Sequence, residues 1–221
     1  QYPAVVLINR RLDGTNVGVV LVDDELGSKL AVQHLLDTGY KRIGFLAGPS
    51  PSRSGQLRVA GYRAALEAAG LPPHSGWVRH CSGDVDGGRE VALDLLSDHP
   101  ELTALLCYND LVAVGALQAC HDLSLDVPGD LAIAGCDDIP LAALVTPALT
   151  TCRAPRYDLG ARATEMLLAR IHGMVEQFQE VVLPPELVIR ASAPDRRTGR
   201  KEDAIEQSVS GVAATTDSTS L

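Results

Sequence analysis

The chain has 221 residues, of which 46% are hydrophobic, 4% aromatic and 21% charged. This length and apolar content are typical of a folded α/β protein with a continuous core and exclude a chain that is disordered throughout. The net charge is −9, so this stretch lacks the positive balance that binding of duplex DNA requires. No apolar run is long enough for a membrane span, and no signal peptide opens the sequence, which begins with Gln1.

Short aliphatic runs alternate with longer amphipathic segments through most of the chain. Strands are predicted over 5–9, 17–23, 42–48, 77–81, 104–108 and 131–134. Helices are predicted over 25–38, 53–69, 86–97 and 110–123. This alternation is the pattern of repeated βαβ units, so the predicted fold class is α/β with doubly wound parallel sheets.

The pattern changes towards the carboxyl end. Pro155 precedes a predicted long helix over 158–172, and the segment VVLPPELVIRAS that follows predicts two short strands around its paired prolines. Residues 194–221 have little apolar content and no sustained periodicity. They are therefore predicted to form a disordered tail.

The sequence carries few signs of catalytic or metal chemistry. Its five cysteines include no Cys-x-x-Cys pair and are predicted to be buried, reduced thiols: Cys81, Cys107, Cys120, Cys136 and Cys152. The loop GPSPSRSG at 48–55 lacks the lysine of a phosphate-binding loop and is interpreted as a surface loop. The six histidines have no accompanying nucleophile motif. No enzyme activity, metal or cofactor is predicted.

Several segments occur in a distinctive order and spacing. They are VDDELGSKLAVQHLLDTGYKRIGFLAGP at 22–49, Arg58-x-x-Gly61-Tyr62, Tyr108-Asn109-Asp110-Leu111-x-Ala113-x-Gly115, DVPGDLAIAGCDDIP at 126–140 and PALTT at 147–151. Together they resemble the LacI/GalR family of bacterial transcriptional regulators. One such segment would be weak evidence, because an Asn-Asp pair at a strand end is common in open α/β sheets. All of them together are specific.

The resemblance implies a periplasmic-binding-protein-like type I fold, in which two α/β lobes close on a ligand at their hinge. It also implies that a DNA-binding headpiece and the first units of the N-terminal lobe are absent, which leaves that lobe incomplete. Residues 1–22 would be a remnant of the N-terminal lobe and 23–150 the C-terminal lobe. Residues 151–193 would cross back to the N-terminal lobe and supply closing strands, and 194–221 would be the tail.

Three polar residues are candidates for ligand contact. In open parallel sheets ligands collect at the carboxyl ends of the strands, where Asn109 and Asp137 follow predicted strands and Arg58 lies near a helix start. A carboxylate, an amide and a guanidinium suit sugar hydroxyls or the polar edge of a base. The resemblance assigns effector contact to the same three positions. Alternatively, Arg58 is a solvated helix residue and Asn109 only bonds backbone.

Asn9 and Val85 are added to the predicted effector site. The family often has an aromatic residue in the segment after a Gly-Asp or similar pair, whereas Val85 follows Gly83-Asp84 here. Stacking from this position is lost, which predicts a smaller or less planar effector. Asp110 and Asp138 have an alternative interpretation as caps of a helix or turn.

The function implied by the resemblance is that of a cytoplasmic repressor whose sensor domain binds a sugar or similar effector. Lobe closure would alter a homodimer and so operator binding through the headpiece. The helix from Asp110 and the loop before Pro147 are predicted to form the dimer surface, through Asp110, Val114, Leu141 and Leu144. Two alternatives stay open: a periplasmic sugar-binding protein of a transporter, against which five unpaired cysteines argue, and an enzyme.

Overall fold

A computed structural model describes residues 4–12, 15–175 and 180–194. Its strands are β1 (Val6–Ile8), β2 (Gly18–Val22), β3 (Ile43–Ala47), β4 (Val78–His80), β5 (Ala104–Cys107), β6 (Ala132–Asp137), β7 (Thr150–Arg153), β8 (Glu180–Leu183) and β9 (Glu186–Val188). Its helices are α1 (Asp24–Asp37), α2 (Arg53–Ala68), α3 (Val85–Asp98), α4 (Asp110–Asp122) and α5 (Arg156–Ile171). Of the predicted tail, 194–221, only residue 194 is among the described residues.

The strands and helices predicted from periodicity are confirmed, with ends that differ by up to three residues. Two differences concern the region around residue 137. Strand β6 continues beyond 131–134, so that Asp137 is its last residue, and strand β7 at Thr150–Arg153 was not predicted. The run LTTCR is short and about half polar, so it lacks the apolar pattern from which the other strands were predicted. Its two threonines are nevertheless buried, because they pair with β6.

The strands form two sheets. The large sheet has six strands in the order β4-β3-β5-β6-β7-β9, parallel except for β9, which runs antiparallel to β7. The small sheet has three parallel strands in the order β1-β2-β8. The chain passes from β8 in the small sheet to β9 in the large one through Pro184 and Pro185. The predicted boundaries between the lobes, the crossover segment and the tail, at residues 22, 150 and 193, stay predictions.

Both faces of the large sheet are covered by helices. Residues of β3 alternate between the faces: Ile43 and Phe45 pack with α1 and α2, whereas Leu46 packs with α3 and α4. Buried parallel strands read as continuous apolar runs for this reason. The small sheet packs against α5 through Val20, Leu159 and their neighbours. None of the helices in the described ranges is long and apolar enough to cross a membrane.

Glycine lets α3 and α4 approach each other closely. A Cβ built on Gly115 would lie 2.1 Å from the carbonyl oxygen of Val85, and one on Gly88 would lie 2.5 Å from that of Val112. Any larger side chain at these positions would push the helices apart. All five cysteines are free, and four of them are buried, in agreement with the predicted interior thiols.

Candidate functional site

A cleft of about 790 Å³ lies where the small sheet meets the carboxyl edge of the large sheet. Its wall is built by the segment after β1, by β2 and the start of α1, by the loop between β3 and α2, and by the residue after β5. The lining residues are Asn9, Arg10, Arg11, Leu21, Asp24, Pro49, Pro51, Ser52, Arg53, Ser54 and Tyr108. This is the position at which open parallel sheets bind ligands, because strand ends and helix N-termini converge there.

Arg58 is held behind the cleft wall by two carboxylates. The side chain is buried, its Nε donates to Asp24 Oδ1 at 2.9 Å, and its Nη2 lies 2.8 Å from the same oxygen and 3.5 Å from Asp137 Oδ1. Its Nη1 donates to the carbonyl of Tyr108, whose ring lies 4.7 Å from the guanidinium carbon. The interpretation of Arg58 as a solvated helix residue is therefore wrong.

The charges of this cluster are mutually dependent. Burial by itself lowers the pKa of the Arg58 guanidinium, but Cys136, Asp24 and Asp137 more than offset it and raise that pKa above its usual value. Burial raises the pKa of Asp137, and Arg58 acts in the opposite direction. Arg58 thus stays charged, and a change at either carboxylate leaves part of a buried charge unpaired.

Asp137 and Asp138 both have left-handed backbone conformations, with φ of 107° and 52°. Arg156, at the first position of α5, donates to both of their carbonyls at 3.1 and 2.8 Å. The carboxylate of Asp138 binds Arg153 and Arg190, each at 2.7 Å, and these arginines hold its pKa below the usual value although burial opposes them. The Asp138 carboxylate thus binds two arginines, rather than capping a helix or turn as the alternative interpretation had it.

Arg58 and Asp137 are brought together, but not into the large cleft. Both line a cavity of about 20 Å³ directly behind it, and Asp24 lines both spaces. Asp24 is thus the residue that the cleft and this cavity share. Their direct contact with effector stays a prediction.

The other predicted effector residues occupy different positions. Asn9 lines the cleft, and its Oδ1 accepts a hydrogen bond from the backbone of Val22 at 3.0 Å. Asn109 caps α4 by accepting a hydrogen bond from the backbone N–H of Val112, and its amide donates to the Gly83 carbonyl, both at 2.9 Å. Its side chain therefore bonds backbone groups, as the alternative interpretation of this residue stated. Val85 begins α3 and is half-buried, outside the residues described as lining the cleft.

Asp110 is buried within the chain. Its Oδ1 accepts from the Thr151 hydroxyl at 2.6 Å and its Oδ2 from the backbone of Ile139 at 2.8 Å. Burial raises its pKa to about 6, although both hydrogen bonds favour the ionised form. It therefore connects α4 to the segment after β6, and by accepting from the backbone of Ile139 it has the kind of hydrogen bond that the capping alternative describes. Its 1% exposure leaves no surface for contact with a partner.

Of the other residues predicted at the dimer surface, Leu144 is 77% exposed, Leu141 is 38% exposed and Val114 is half-buried. These three are accessible from outside the chain. Their place in a dimer interface stays a prediction.

Sequence reasoning missed most of the cleft wall: Arg10, Arg11, Leu21, Asp24, Tyr108 and residues 49–54, which belong to the segment 48–55 that it interpreted as a surface loop. Tyr108 directly follows β5, so the same strand-end rule that selected Asn109 could have found it. A Cβ on Gly48 would lie 2.5 Å from the Tyr108 ring, so this glycine makes room for the aromatic side chain. The cleft therefore has an aromatic wall even though position 85 is valine.

Comparison with known proteins agrees with this architecture. Residues 32–193 match the family model of the periplasmic binding protein-like domain. The chain is 40% identical over 168 residues to the ribose operon repressor of Escherichia coli (strain K12), covering 76% of this chain and 51% of that one. It is 34% identical over 197 residues to the HTH-type transcriptional regulator GalS of Salmonella typhimurium, covering 89% of this chain and 58% of the relative.

Solved structures give the same result. The transcriptional regulator CelR in complex with cellobiose superposes with a TM-score of 0.80 at 31% identity, covering 85% of this chain and 58% of that one. A LacI-family regulator from Enterococcus faecium with bound ribose gives a TM-score of 0.78 at 25% identity, covering 87% and 71%.

The fold is thus that of a periplasmic-binding-protein-like α/β domain with a cleft between two sheets. The chain belongs to the periplasmic binding protein-like family, in the form that LacI-family regulators use as their effector-binding domain. It spans slightly more than half the length of the curated relatives that it matches. Those relatives are named as transcriptional regulators, not as enzymes.

Proposed function

We propose that this chain is the sensor domain of a LacI-family transcriptional repressor and binds a sugar-like effector in the cleft between its two sheets. The observation that carries the proposal is the cleft of about 790 Å³, which is large enough for a mono- or disaccharide. The ribose bound to the Enterococcus faecium regulator and the cellobiose bound to CelR support this ligand class.

The chemistry of the wall suits hydroxylated ligands. Asn9 and Ser52 offer amide and hydroxyl groups, and the guanidinium group of an arginine can donate two hydrogen bonds at once to a ligand. The Tyr108 ring provides a flat apolar surface. Arg58 and Asp137 lie behind this wall and keep Asp24 in place. Direct effector contact by Arg58 would require its buried side chain to become accessible when the ligand binds, whereas Asp137 and Asn109 are already half-buried.

Effector binding would act on DNA through the relative position of the two sheets. Arg156 joins α5, which packs on the small sheet, to Asp137 and Asp138 at the end of a strand of the large sheet. A ligand that binds one arrangement of the sheets more tightly shifts the equilibrium between them. In the intact protein this shift would pass through a homodimer that includes Val114, Leu141 and Leu144 to a headpiece on operator DNA.

The proposed regulator is cytoplasmic and non-catalytic. Relatives named as a transcriptional regulator and as an operon repressor favour this function over a periplasmic sugar-binding protein, which shares the fold. Within the described ranges, no group of three or more His, Cys, Asp and Glu side chains is arranged to hold a metal ion.

Isothermal titration calorimetry with a panel of pentoses, hexoses and disaccharides tests the proposal. We expect at least one sugar to bind the wild-type protein. Asp137→Asn should weaken that binding by about 10-fold or more, because it removes a charge from the Arg58 cluster. Asp94→Asn, on the exposed face of α3, is the matched control and should leave the affinity unchanged.

Thermal unfolding of both variants separates loss of binding from loss of folding. A protein that unfolds cooperatively and binds none of the sugars would contradict the sensor proposal. Operator binding that is insensitive to the bound sugar would contradict only its link to repression.

A further inference from the structure

The cleft wall is positively charged in a chain whose net charge is −9. Three arginines line it, Arg10, Arg11 and Arg53, against a single carboxylate, Asp24, which Arg58 already binds. Arg11 forms an ion pair with Glu180. Within the described ranges, Arg10 and Arg53 make no ion pair, and both are exposed. Among the described residues, these two cations of the cleft therefore have no carboxylate partner.

The start of α2 adds to this charge. Four of the five described helices carry a carboxylate in their first turn, which complements the positive end of the helix dipole. Helix α2 carries none and begins with Arg53, so a cation lies beside a positive helix end. This arrangement is unfavourable for the helix itself, and an anion between the two positive groups would relieve it.

Neutral hydrogen-bonding groups surround the same point. Ser52 caps α2 and its hydroxyl lies 3.4 Å from that of Tyr108, while Ser54 lines the cleft one position after Arg53. Hydroxyl donors beside arginines are a common setting for phosphate and carboxylate oxygens. The sugar part of a ligand would then extend along the wall towards Asn9 and Asp24.

From the two unneutralised arginines and the helix start we infer that the effector is a sugar that carries an anionic group, a phosphate or a carboxylate, bound by Arg53, Arg10 and the N-terminus of α2. This inference rests on the proposed sensor function and specifies its ligand class. It also accounts for a positive wall that a neutral sugar does not require.

Calorimetric titration of the full chain with matched ligand sets tests the inference. Each set contains a neutral aldose, its aldonic acid and its phosphate ester, and inorganic phosphate is titrated alone. We expect at least one anionic member to bind about 10-fold or more tightly than its neutral parent. That preference should decrease between about 0.05 and 0.5 M salt, since screening weakens exposed charge pairs. The acid and ester arms identify which anionic group is recognised.

Arg53→Gln and Arg10→Gln should each weaken binding of the anionic member by more than that of its neutral parent, and so remove most of the preference for the anion. Arg63→Gln removes the same charge from an exposed position of α2 and should change neither affinity. All three substitutions are at exposed side chains, so circular dichroism should match the wild type and thermal unfolding should show no loss of stability.

The outcomes separate the two proposals. Neutral sugars that bind as tightly as their anionic forms would overturn the inference and leave sugar sensing intact. Inorganic phosphate that binds as tightly as the phosphate esters would also overturn it, because the sugar would then not be recognised. If no sugar of any kind binds, both the sensor function and the inference fail.

Discussion

The two sheets differ in how completely they are covered. The large sheet has helices on both faces and two buried clusters, and its central strands are almost inaccessible. The small sheet has one helix and a small cluster, and large apolar side chains on α5 and just after it are exposed, with Ile171 at 61% and Met174 at 74%. Most of the free energy of folding should therefore come from the large sheet, while the small sheet contributes one wall of the cleft.

The strongest test of this difference is a pair of leucine truncations. Leu105→Ala in β5 removes a fully buried side chain and should lower the free energy of unfolding by about 2–5 kcal/mol. Leu168→Ala in α5 removes one that is 47% exposed and should cost less than about 1 kcal/mol. Urea denaturation followed by circular dichroism measures both. Equal losses would show that the two sheets are equally important for stability.

A second test uses the pH dependence of Asp110. Its pKa rises from the ordinary 3.8 to about 6 in the folded chain, so the folded state binds this proton more tightly than the unfolded state. The contribution of Asp110 to stability is most favourable below about pH 4 and decreases by up to about 3 kcal/mol as the pH rises through about 6.

Unfolding free energies of wild type and Asp110→Asn between about pH 4 and 7 measure that contribution as their difference. The difference should change in favour of the variant as the pH rises. Asp94→Asn is the surface control. A difference that is constant with pH would mean that Asp110 keeps its ordinary pKa in the folded chain. Its burial beside the large sheet would then make no pH-dependent contribution to stability.

The smallest expected effect concerns two helical glycines, one beside each sheet. Gly115→Ala places a methyl group against the Val85 carbonyl and should destabilise the protein by about 1–3 kcal/mol. Gly160→Ala on α5 meets no atom within 4 Å and should stabilise it by up to about 1 kcal/mol, because alanine favours helix. Thermal unfolding gives the sign of each change. Destabilisation by both would indicate close packing on α5 as well.

Much of the fold could be predicted from the sequence, because strands buried on both faces give apolar runs and α1 to α4 repeat with helical periodicity. Strand β7 was missed because Thr150 and Thr151 are polar, and their burial depends on partners distant in sequence, such as Ser192 and Asp110. Local pattern carries no information about such partners.

The candidate site was predictable only in part. The strand-end rule selected Asp137 and Asn109 correctly as residues at the carboxyl edge, but it does not specify which side of that edge faces the cleft. The pairing of Arg58 with Asp24 joins α2 to α1 and depends on how closely these helices approach. Arg53 drew no attention because a single arginine in a polar loop is ordinary until the charges around it are known.

The left-handed conformations of Asp137 and Asp138 restrict how this protein can diverge. Glycine adopts such backbone angles freely and aspartate and asparagine tolerate them better than most residues, whereas β-branched residues are strongly strained there. Random substitution at these two positions should therefore mostly yield unstable proteins rather than proteins with new ligands. New effector specificities are more accessible through residues 49–54, the loop before α2 and its first two residues, none of which is among the described residues with positive φ. A library directed at that loop would keep the junction of the two sheets unchanged while varying the surface that meets the ligand.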